Sequence, residues 1–314
     1  MKHYSVLKME SLEYLNIKED GIYVDATLGY AGHSSEILKR IPNGYLYAFD
    51  ADMEAIRYSD SVLKEIGTNY EIIHANYEDM KEELLKRGVQ VVDGILFDLG
   101  VSSPQIDSMT RGFSFMREEI LDMRMDQTQD FDAKILLNTY SYEALRDIFF
   151  QFGEEKKSAL IAKKIVDVRN KKRFETTIEL VEVIKEAVGA NYFYKNHPER
   201  KIFQAIRIEV NHELSSLECV LPDAISLLKQ GGRISVITFH SLEDRITKKV
   251  FKQFSEVDDM VKGLPEIPYE YQPMIQLVLR KPLLPSDKEV NENSRSKSAK
   301  LRVIERIKEN EKEK

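Results

Sequence analysis

The sequence lacks the features that mark membrane-spanning and secreted proteins. Among its 314 residues there is no apolar run of about 18 residues, the length that a membrane helix needs. The segment from Met1 to Val6 also lacks the continuous apolar stretch of an export signal. The single cysteine, Cys219, cannot form an internal disulfide, and its partly apolar surroundings predict a packed thiol rather than a nucleophile. We therefore expect a cytoplasmic protein.

Several common ligand signatures are missing as well. The six histidines show no paired spacing and have no cysteine partners, so the sequence predicts no metal site. There is no G-x-x-x-x-G-K segment, which argues against nucleoside triphosphate hydrolysis. The net charge of −7 argues against binding nucleic acid over the whole surface. A local basic face stays possible, because a polyanion responds to local potential.

The chain is organised around a glycine-bearing stretch, Val24–His33. The apolar run at 22–24 leads into a segment that contains Asp25, Gly29 and Gly32. A helical pattern begins after this segment. A strand, a glycine turn and a helix form the entrance to a nucleotide-type pocket. Asp50 ends the next predicted strand, about 20 residues after Gly29, where such folds place a carboxylate for ribose hydroxyls. The glycines do not spell G-x-G-x-x-G, so a nicotinamide dehydrogenase is not indicated.

Strands alternate with helices through the first hundred residues. We predict strands at 22–24, 45–49, 70–74 and 91–100, and the last is nearly all apolar, as a strand buried on both faces should be. This alternation predicts an α/β protein with a doubly wound, mostly parallel sheet. The length and the 42% hydrophobic content allow a large core and suggest two domains.

The pattern breaks after this fourth strand. Residues 101–130 are rich in Ser, Pro, Gly, Met, Arg and Asp without sustained periodicity, and loops of this length are usually functional or disordered. Helical spacing follows near 132–138, 142–151, 154–171 and 177–188, and Thr176 with Glu179 fits a capping box. This run predicts a helical domain inserted into the sheet domain.

The α/β pattern then resumes. We predict a helix at 217–228, a turn at Gly231-Gly232, a strand at 233–239, a helix at 242–254 and a late strand at 274–279. The predicted organisation is a first part of the sheet domain, an inserted helical domain, a second part of the sheet domain and a charged tail with frayed last residues, at 1–110, 111–210, 211–290 and 291–314.

Polar residues stand at successive predicted strand ends. In a doubly wound sheet, ligands bind at the carboxyl ends of the strands, so one pocket could collect these residues, which are Asp25, Asp50, Tyr77, Asp98 and His240. The turn after Asp98 offers hydroxyls, carbonyls and an amide, and the Tyr77 ring could lie against a flat group. Basic residues cluster elsewhere, at Arg169, Lys171, Lys172 and Arg173 and at Lys195, His197, Arg200, Lys201 and Arg207. Each cluster alone could be a solvated helix face.

Several stretches together resemble one family, the bacterial 16S ribosomal RNA cytosine-N4 methyltransferases. The resemblance extends from Tyr4 to about Arg306 and is carried by long motifs, at Asp25–His33, Asp93–Gln105, Arg111–Met116, Leu121–Asp126, Phe203–Ile208, Asn211–Leu214 and Phe239–Arg245. It implies a class I S-adenosylmethionine-dependent methyltransferase with an inserted helical domain. The implied reaction methylates the exocyclic N4 amine of one cytidine in 16S rRNA, near the decoding centre.

The resemblance also implies the site residues. The contacts to S-adenosylmethionine would fall on Ala31, Gly32, His33, Asp50, Tyr77, Asp98 and Gln105. Where the family often has Gly-Gly-His, this chain has Ala31-Gly32-His33, and where it often has Phe, this chain has Tyr77. Neither departure removes the turn or the ring.

For catalysis, an acceptor hydrogen-bonded to the amine would take up the positive charge that develops on it. The candidates are Asp98, Ser102 and Ser103. The two serines are included because Asp98 could instead face the cofactor. The base must leave its stack to reach such a pocket. Basic residues of the inserted domain, the His240–Arg245 segment and the Arg295–Arg302 segment would hold RNA phosphates. The expected partner is 16S rRNA within the 30S subunit, with a homodimer possible.

Two other classes stay open as alternatives. A DNA cytosine-N4 methyltransferase is expected to have an Asp/Ser-Pro-Pro-aromatic turn after the fourth strand, and the turn from Asp98 to Pro104 does not match it. A non-catalytic S-adenosylmethionine-binding factor for rRNA assembly would have no need of a complete set of pocket residues.

Overall fold

A computed structural model describes residues 5–257 and 259–310 of the chain. These residues form two compact units. The first unit extends up to Gly100 and resumes at Leu214, and the second is Val101–Glu213. The inserted domain was predicted at 111–210, so the second unit starts ten residues earlier, at the end of the fourth strand.

The first unit is built on a seven-stranded sheet in the order β3-β2-β1-β4-β5-β7-β6. The strands are β1 (Ile22–Asp25), β2 (Tyr45–Asp50), β3 (Tyr70–His74), β4 (Val92–Asp98), β5 (Leu228–Thr238), β6 (Ile275–Leu277) and β7 (Lys300–Arg306). Strands β1 to β5 are parallel, while β7 is antiparallel to both β5 and β6. The predicted α/β architecture with a mostly parallel, doubly wound sheet is confirmed.

Helices cover both faces of this sheet. They are α1 (Lys8–Leu15), α2 (Gly32–Arg40), α3 (Met53–Lys64), α4 (Met80–Lys86), α12 (Glu213–Leu227), α13 (Ser241–Ser255) and α14 (Asp287–Glu292). Neighbouring strand residues separate to opposite faces, because successive side chains of a strand alternate. Tyr23 belongs to an apolar cluster with residues of α1, α2 and α3, whereas Val24 belongs to a second cluster with residues of α4, α12 and α13. The predicted two-sided burial of β4 follows from this arrangement.

The second unit is helical. Its helices are α5 (Ser103–Asp107), α6 (Ala133–Thr139), α7 (Tyr142–Gln151), α8 (Ser158–Arg169), α9 (Thr177–Val188), α10 (Ala190–Asn196) and α11 (Pro198–Val210). They enclose one apolar core in which Leu136, Phe149, Ile161 and Ile184 are fully buried. The capping box predicted at the start of α9 is present. Helices α10 and α11 continue where the sequence had indicated only a basic cluster.

The predicted loop at 101–130 is ordered, and it contains the short helix α5. The buried guanidinium of Arg111 donates hydrogen bonds to the carbonyls of Arg124 (2.9 Å) and Met125 (3.1 Å). The Asn211 side chain, at the end of α11, donates to the carbonyl of Met123 (2.7 Å) and accepts from the N–H of Met125 (2.7 Å). Hydrogen bonds from two buried polar side chains to the backbone therefore hold this segment in place, where regular secondary structure is sparse.

Three predictions outside the loop are wrong. Residues 300–306, predicted as part of a charged tail, form β7 in the sheet, because Leu301, Val303 and Ile304 are buried between polar neighbours. The turn predicted at Gly231-Gly232 lies inside β5, where the pairing with β4 shifts register. Cys219 is exposed rather than packed. It lies on α12 away from the face that buries its neighbours.

Some predictions fall beyond the described residues. The start of the first predicted helix, at residue 4, and the last four residues of the predicted tail lie outside them. Within residues 5–257 and 259–310, no helix has both the length and the apolar character needed to cross a membrane.

Candidate active site

The carboxyl ends of three neighbouring strands bring three aspartates to one edge of the sheet. Strand β1 ends at Asp25, which is in register with Ala48 of β2 and Leu96 of β4. Both flanking strands continue two residues further, to Asp50 and Asp98. The two longer strands therefore place one carboxylate on each side of the turn that leaves β1. The predicted collection of strand-end acids is present in this unit.

The turn between β1 and α2 is bent tightly by two residues with positive φ. Gly29 has φ 48°, a conformation that glycine adopts without strain. Ala31 has φ 60° and directly precedes α2, which starts at Gly32. An alanine in this region is strained, and such residues persist only where the surroundings fix them. Here the Ala31 side chain is buried, and its N–H donates to the carbonyl of Leu28 at 2.9 Å.

Asp25 holds this turn from inside. Its carboxylate accepts from the N–H of Thr27 (3.1 Å) and from the hydroxyl of Ser34 (2.6 Å). The side chain is fully buried, and burial raises its pKa to about 6, against the lowering effect of these hydrogen bonds. The carboxylate that looked like a pocket residue in the sequence therefore has a structural role in tying β1 to α2.

Asp50 holds the same turn from the β2 side. One oxygen accepts from the N–H of Gly29 (2.7 Å), and the other accepts from the N–H of Asp52 (2.8 Å). Burial is the main reason why the pKa of Asp50 is raised to about 7. A carboxylate has about four lone-pair sites, so two backbone donors leave capacity for further hydroxyl donors. The Gly29 carbonyl is fixed in turn by the Ser59 hydroxyl at 2.7 Å.

Asp98 has two oxygens in different surroundings. Oδ2 lies 3.4 Å from Nδ1 of His33, in the first turn of α2. Oδ1 is buried and has no hydrogen-bond partner among the described residues. The backbone N–H of Asp98 donates to the Thr27 hydroxyl at 2.7 Å, which ties β4 to the turn. Burial raises the pKa of this carboxyl well above its usual range, and the negative charge of Asp25 adds to the effect.

The other two strand-end residues are also in place. Tyr77 begins a short 3₁₀ turn after β3, and its ring meets the Phe97 ring edge-on with centroids 5.9 Å apart. His240 follows β5 and is the N-cap of α13, in a capping box with Glu243. Glu243 accepts from the N–H groups of Phe239 (2.7 Å) and His240 (3.2 Å). The hydrogen bonds of His240 and Glu243 thus stabilise the start of α13.

The remaining predicted site residues belong to the second unit. Ser102 is the N-cap of α5 and forms a capping box with Gln105, whose Oε1 accepts from the Ser102 N–H (3.0 Å) and hydroxyl (3.1 Å). Gln105 is buried, while Ser103, the first residue of α5, is half-buried. The S-x-x-Q spacing from Ser102 to Gln105 is the sequence signal that predicts such a box.

Most of the predicted RNA-binding cations already have acidic or backbone partners. In the second unit, Arg207 makes a two-point contact with Glu213 (2.8 and 2.9 Å), and Arg169 donates to the Leu137 carbonyl (2.7 Å). In the first unit, Lys300 and Arg302 both contact Asp244, at 3.0 and 2.7 Å. These pairs reduce the local positive potential and leave other basic side chains as the better candidates for phosphate contacts. In the second unit these include Lys171, Arg173 and Lys195, which are exposed.

Comparison with known proteins identifies the family. The family model described as the MraW methylase family matches residues 1–307. The chain belongs to this family. A protein of Exiguobacterium sibiricum named "Ribosomal RNA small subunit methyltransferase H" is 50% identical over 309 residues, covering 98% of this chain and 99% of the relative. A protein of the same name from Lactobacillus delbrueckii subsp. bulgaricus is 49% identical over 312 residues, with 98% and 99% covered.

Membership of the MraW methylase family confirms two predictions, the family itself and S-adenosylmethionine as the cofactor. Among solved structures, an rRNA methylase from Streptococcus thermophilus aligns with 98% of this chain and 99% of its own. Its TM-score is 0.41 at 12% identity, a likeness too weak to carry an argument.

Proposed function

We propose that this chain transfers the methyl group of S-adenosylmethionine to the N4 exocyclic amine of one cytidine in 16S rRNA, near the decoding centre. Two relatives that are about half identical over nearly the whole chain carry names that specify small-subunit rRNA methylation. The choice of the N4 amine rests on the motif resemblance and on the site chemistry. The observation that carries it is the Asp98 carboxylate, because its Oδ1 is buried beside the turn with no hydrogen-bond partner in the described chain.

The residues at the edge of the sheet fit the proposed cofactor. When bound, S-adenosylmethionine supplies a methyl group made electrophilic by a positively charged sulfur. A group of buried and half-buried carboxylates favours a ligand with positive charge over an anionic dinucleotide. Asp50 retains lone pairs for ribose hydroxyls, and α2 starts after Ala31 without a side-chain cap hydrogen bond from its N-cap residue. Tyr77 supplies an aromatic ring at the end of β3.

Asp98 would do the acid–base work. The lone pair of the cytosine amine is delocalised into the ring, so the amine is a weak nucleophile. A carboxylate that accepts a hydrogen bond from this amine restores its nucleophilic character and then accepts the proton that it loses. Because the acceptor is already held in place in the folded site, it stabilises the developing charge on the amine without reorganisation of the surrounding groups. Ser102 and Ser103 remain proposed contributors, although the capping box already uses the Ser102 hydroxyl.

The helical unit is proposed to recognise the RNA, with the target base flipped out of its stack. Its basic side chains would contact phosphates, and binding would weaken as salt rises because counterions are released. We propose the 30S subunit as the substrate particle, a homodimer as the assembly and the cytoplasm as the compartment.

The function is tested by methyl transfer from labelled S-adenosylmethionine to naked 16S rRNA, 30S subunits and 70S ribosomes, followed by nucleoside analysis. We expect N4-methylcytidine, and the highest rate on 30S subunits. A different methylated nucleoside would overturn the N4 assignment. Binding of S-adenosylmethionine without transfer to any of the three substrates would favour a non-catalytic assembly factor. Light scattering during size-exclusion chromatography measures the oligomeric state.

Cofactor binding is expected to release protons through Asp50. At pH 7 a group with a pKa of about 7 is half protonated, and hydroxyl donors at Asp50 favour its charged form and lower that pKa. Binding at pH 7 should therefore release roughly half a proton, and affinity should rise with pH up to about 8 and then level off. Calorimetry in buffers with different ionisation enthalpies measures this release.

Two variants make this measurement specific. Asp50→Asn should abolish the proton release, whereas the matched exposed control Asp20→Asn should keep it. An equal release in wild type and Asp50→Asn would show that another group titrates.

A further inference from the structure

The His33 imidazole is buried, although the family resemblance places His33 at the cofactor. Its side chain is 4% exposed, and its Nδ1 lies 3.4 Å from Oδ2 of Asp98. The residue stands in the first turn of α2, where the helix itself provides no carbonyl acceptors for the backbone N–H groups. The backbone and the imidazole can thus have different tasks, and the imidazole is directed at Asp98.

The surroundings of Asp98 oppose its ionisation. Burial raises the pKa of this carboxyl well above its usual range, and three acids raise it further, Asp25 on β1, Glu243 on α13 and Glu289 on α14. A protonated carboxyl cannot accept a proton from the amine. The His33 imidazole faces Asp98 from α2, and an N–H donor beside a carboxylate favours the charged form.

We propose that His33 is a positioning residue whose imidazole holds Asp98 as a carboxylate through Oδ2, leaving Oδ1 to receive the amine proton. This inference rests on the proposed function and names a role in that same site. In the step concerned, the amine nitrogen forms a bond to the methyl carbon. The carbon–sulfur bond breaks with its electron pair remaining on sulfur, and the nitrogen then loses a proton to Oδ1 of Asp98.

Three histidine variants test the role without assuming the reaction. His33→Leu removes the N–H donor. His33→Asn keeps one, because the amide nitrogen of asparagine lies about as far along the side chain as Nδ1 of histidine. His74→Gln is the matched control, since His74 also lies at the end of a parallel strand but is exposed.

The first readout is the pKa of Asp98 in the cofactor-free protein, measured by carbon-13 NMR titration of labelled aspartate carboxyls. Loss of an N–H donor close to the charged form raises an acid's pKa. We expect the Asp98 pKa to rise by about one unit in His33→Leu and to stay near the wild-type value in His33→Asn and His74→Gln. An unchanged pKa in folded His33→Leu would overturn the proposal.

The second readout is the pH profile of methyl transfer. We expect kcat to fall by about 10- to 100-fold in His33→Leu, with its acid limb moved to higher pH and KM for S-adenosylmethionine within threefold. His33→Asn should recover most of kcat. A rise in KM alone would assign the imidazole to cofactor binding and would contradict the proposal.

The two readouts separate failure of the inference from failure of the function. An inactive wild-type protein would refute the proposed function while the NMR titration still tests the contact between His33 and Asp98. Active wild type with identical pH profiles in all three variants would refute only the role of His33. If His33→Leu fails to fold, the Asn variant still tests the proposal, which requires it to keep the wild-type Asp98 pKa.

Discussion

Replacing Asp98 with asparagine is expected to lower the rate of methyl transfer by about 10²- to 10⁴-fold, the usual contribution of a general base. The amide has nearly the shape of the carboxylate but cannot take the amine proton. The loss should fall on kcat, because the acceptor acts as charge develops on the amine. Single-turnover transfer of labelled methyl groups to 30S subunits measures it. Near-normal transfer by Asp98→Asn or Asp98→Ala would remove Asp98 from the proposed mechanism.

The same substitution is not expected to destabilise the fold. An acid whose pKa is raised in the folded state binds more protons there than in the unfolded chain. The folded protein therefore loses stability as the pH rises from the pKa of this carboxyl in the unfolded chain to its raised pKa in the folded protein. Asparagine removes this penalty, so the melting temperature of Asp98→Asn at pH 8 should equal or exceed that of the wild type. Asp20→Asn, an exposed carboxyl, is the control for both rate and stability.

The edge of the sheet that carries the three aspartates was predictable because its strands carry strong local signals. Strand β3 occupies the predicted residues, 70–74, and Asp50 ends β2 as its spacing from Gly29 indicates. The hydrogen bond from the Gly29 N–H to Asp50 was not predictable. It depends on the register of β1 with β2, which no local pattern specifies. A polar residue at the end of a predicted strand can be placed at the edge of the sheet from the sequence. Its hydrogen-bond partners depend on how the neighbouring strands pair.

Two misplaced elements have different physical causes. In β7, polar and apolar residues alternate over most of the stretch from Lys300 to Arg306, which is typical of a strand. The many charged residues around this stretch favoured the prediction of a charged tail instead. In β5, Gly231 has φ 78°, which is typical of a turn, yet the strand continues past it by shifting its pairing with β4. The first signal was readable in the sequence. The second outcome depends on tertiary pairing.

The segment at 101–130 shows what periodicity cannot detect. Its lack of a repeating pattern predicts a loop, and regular elements are indeed sparse there. Its order comes from side chains that bond to backbone groups, such as Arg111 with the carbonyl of Arg124. Such contacts join positions far apart in sequence, so only the folded chain brings them together. The long motifs of the resemblance at Arg111–Met116 and Leu121–Asp126 coincide with this frame.

Replacing Asn211 with alanine is expected to lower the free energy of unfolding by about 3 kcal/mol, since three hydrogen bonds of about 1 kcal/mol each are lost. Its amide donates to the carbonyls of Met123 (2.7 Å) and Arg207 (2.9 Å) and accepts from the N–H of Met125 (2.7 Å). Alanine leaves the Met123 carbonyl and the Met125 N–H without this partner, which adds a desolvation cost, whereas the Arg207 carbonyl still accepts from the backbone N–H of residue 211 at 3.1 Å. Denaturant unfolding monitored by circular dichroism measures the change.

The effect of Asn211→Ala should be local to the loop before it is global. Trypsin cuts after arginine, and Arg117 is partly exposed within the segment that Asn211 fixes. We expect cleavage there to become several-fold faster in Asn211→Ala, because local opening needs less free energy. Asn196→Ala is the matched control, since its exposed amide makes one hydrogen bond, to the Tyr192 carbonyl at 3.1 Å. It should change stability by less than about 0.5 kcal/mol and leave cleavage unchanged. Equal cleavage rates in Asn211→Ala and wild type would show that Arg111 alone is enough to hold the loop.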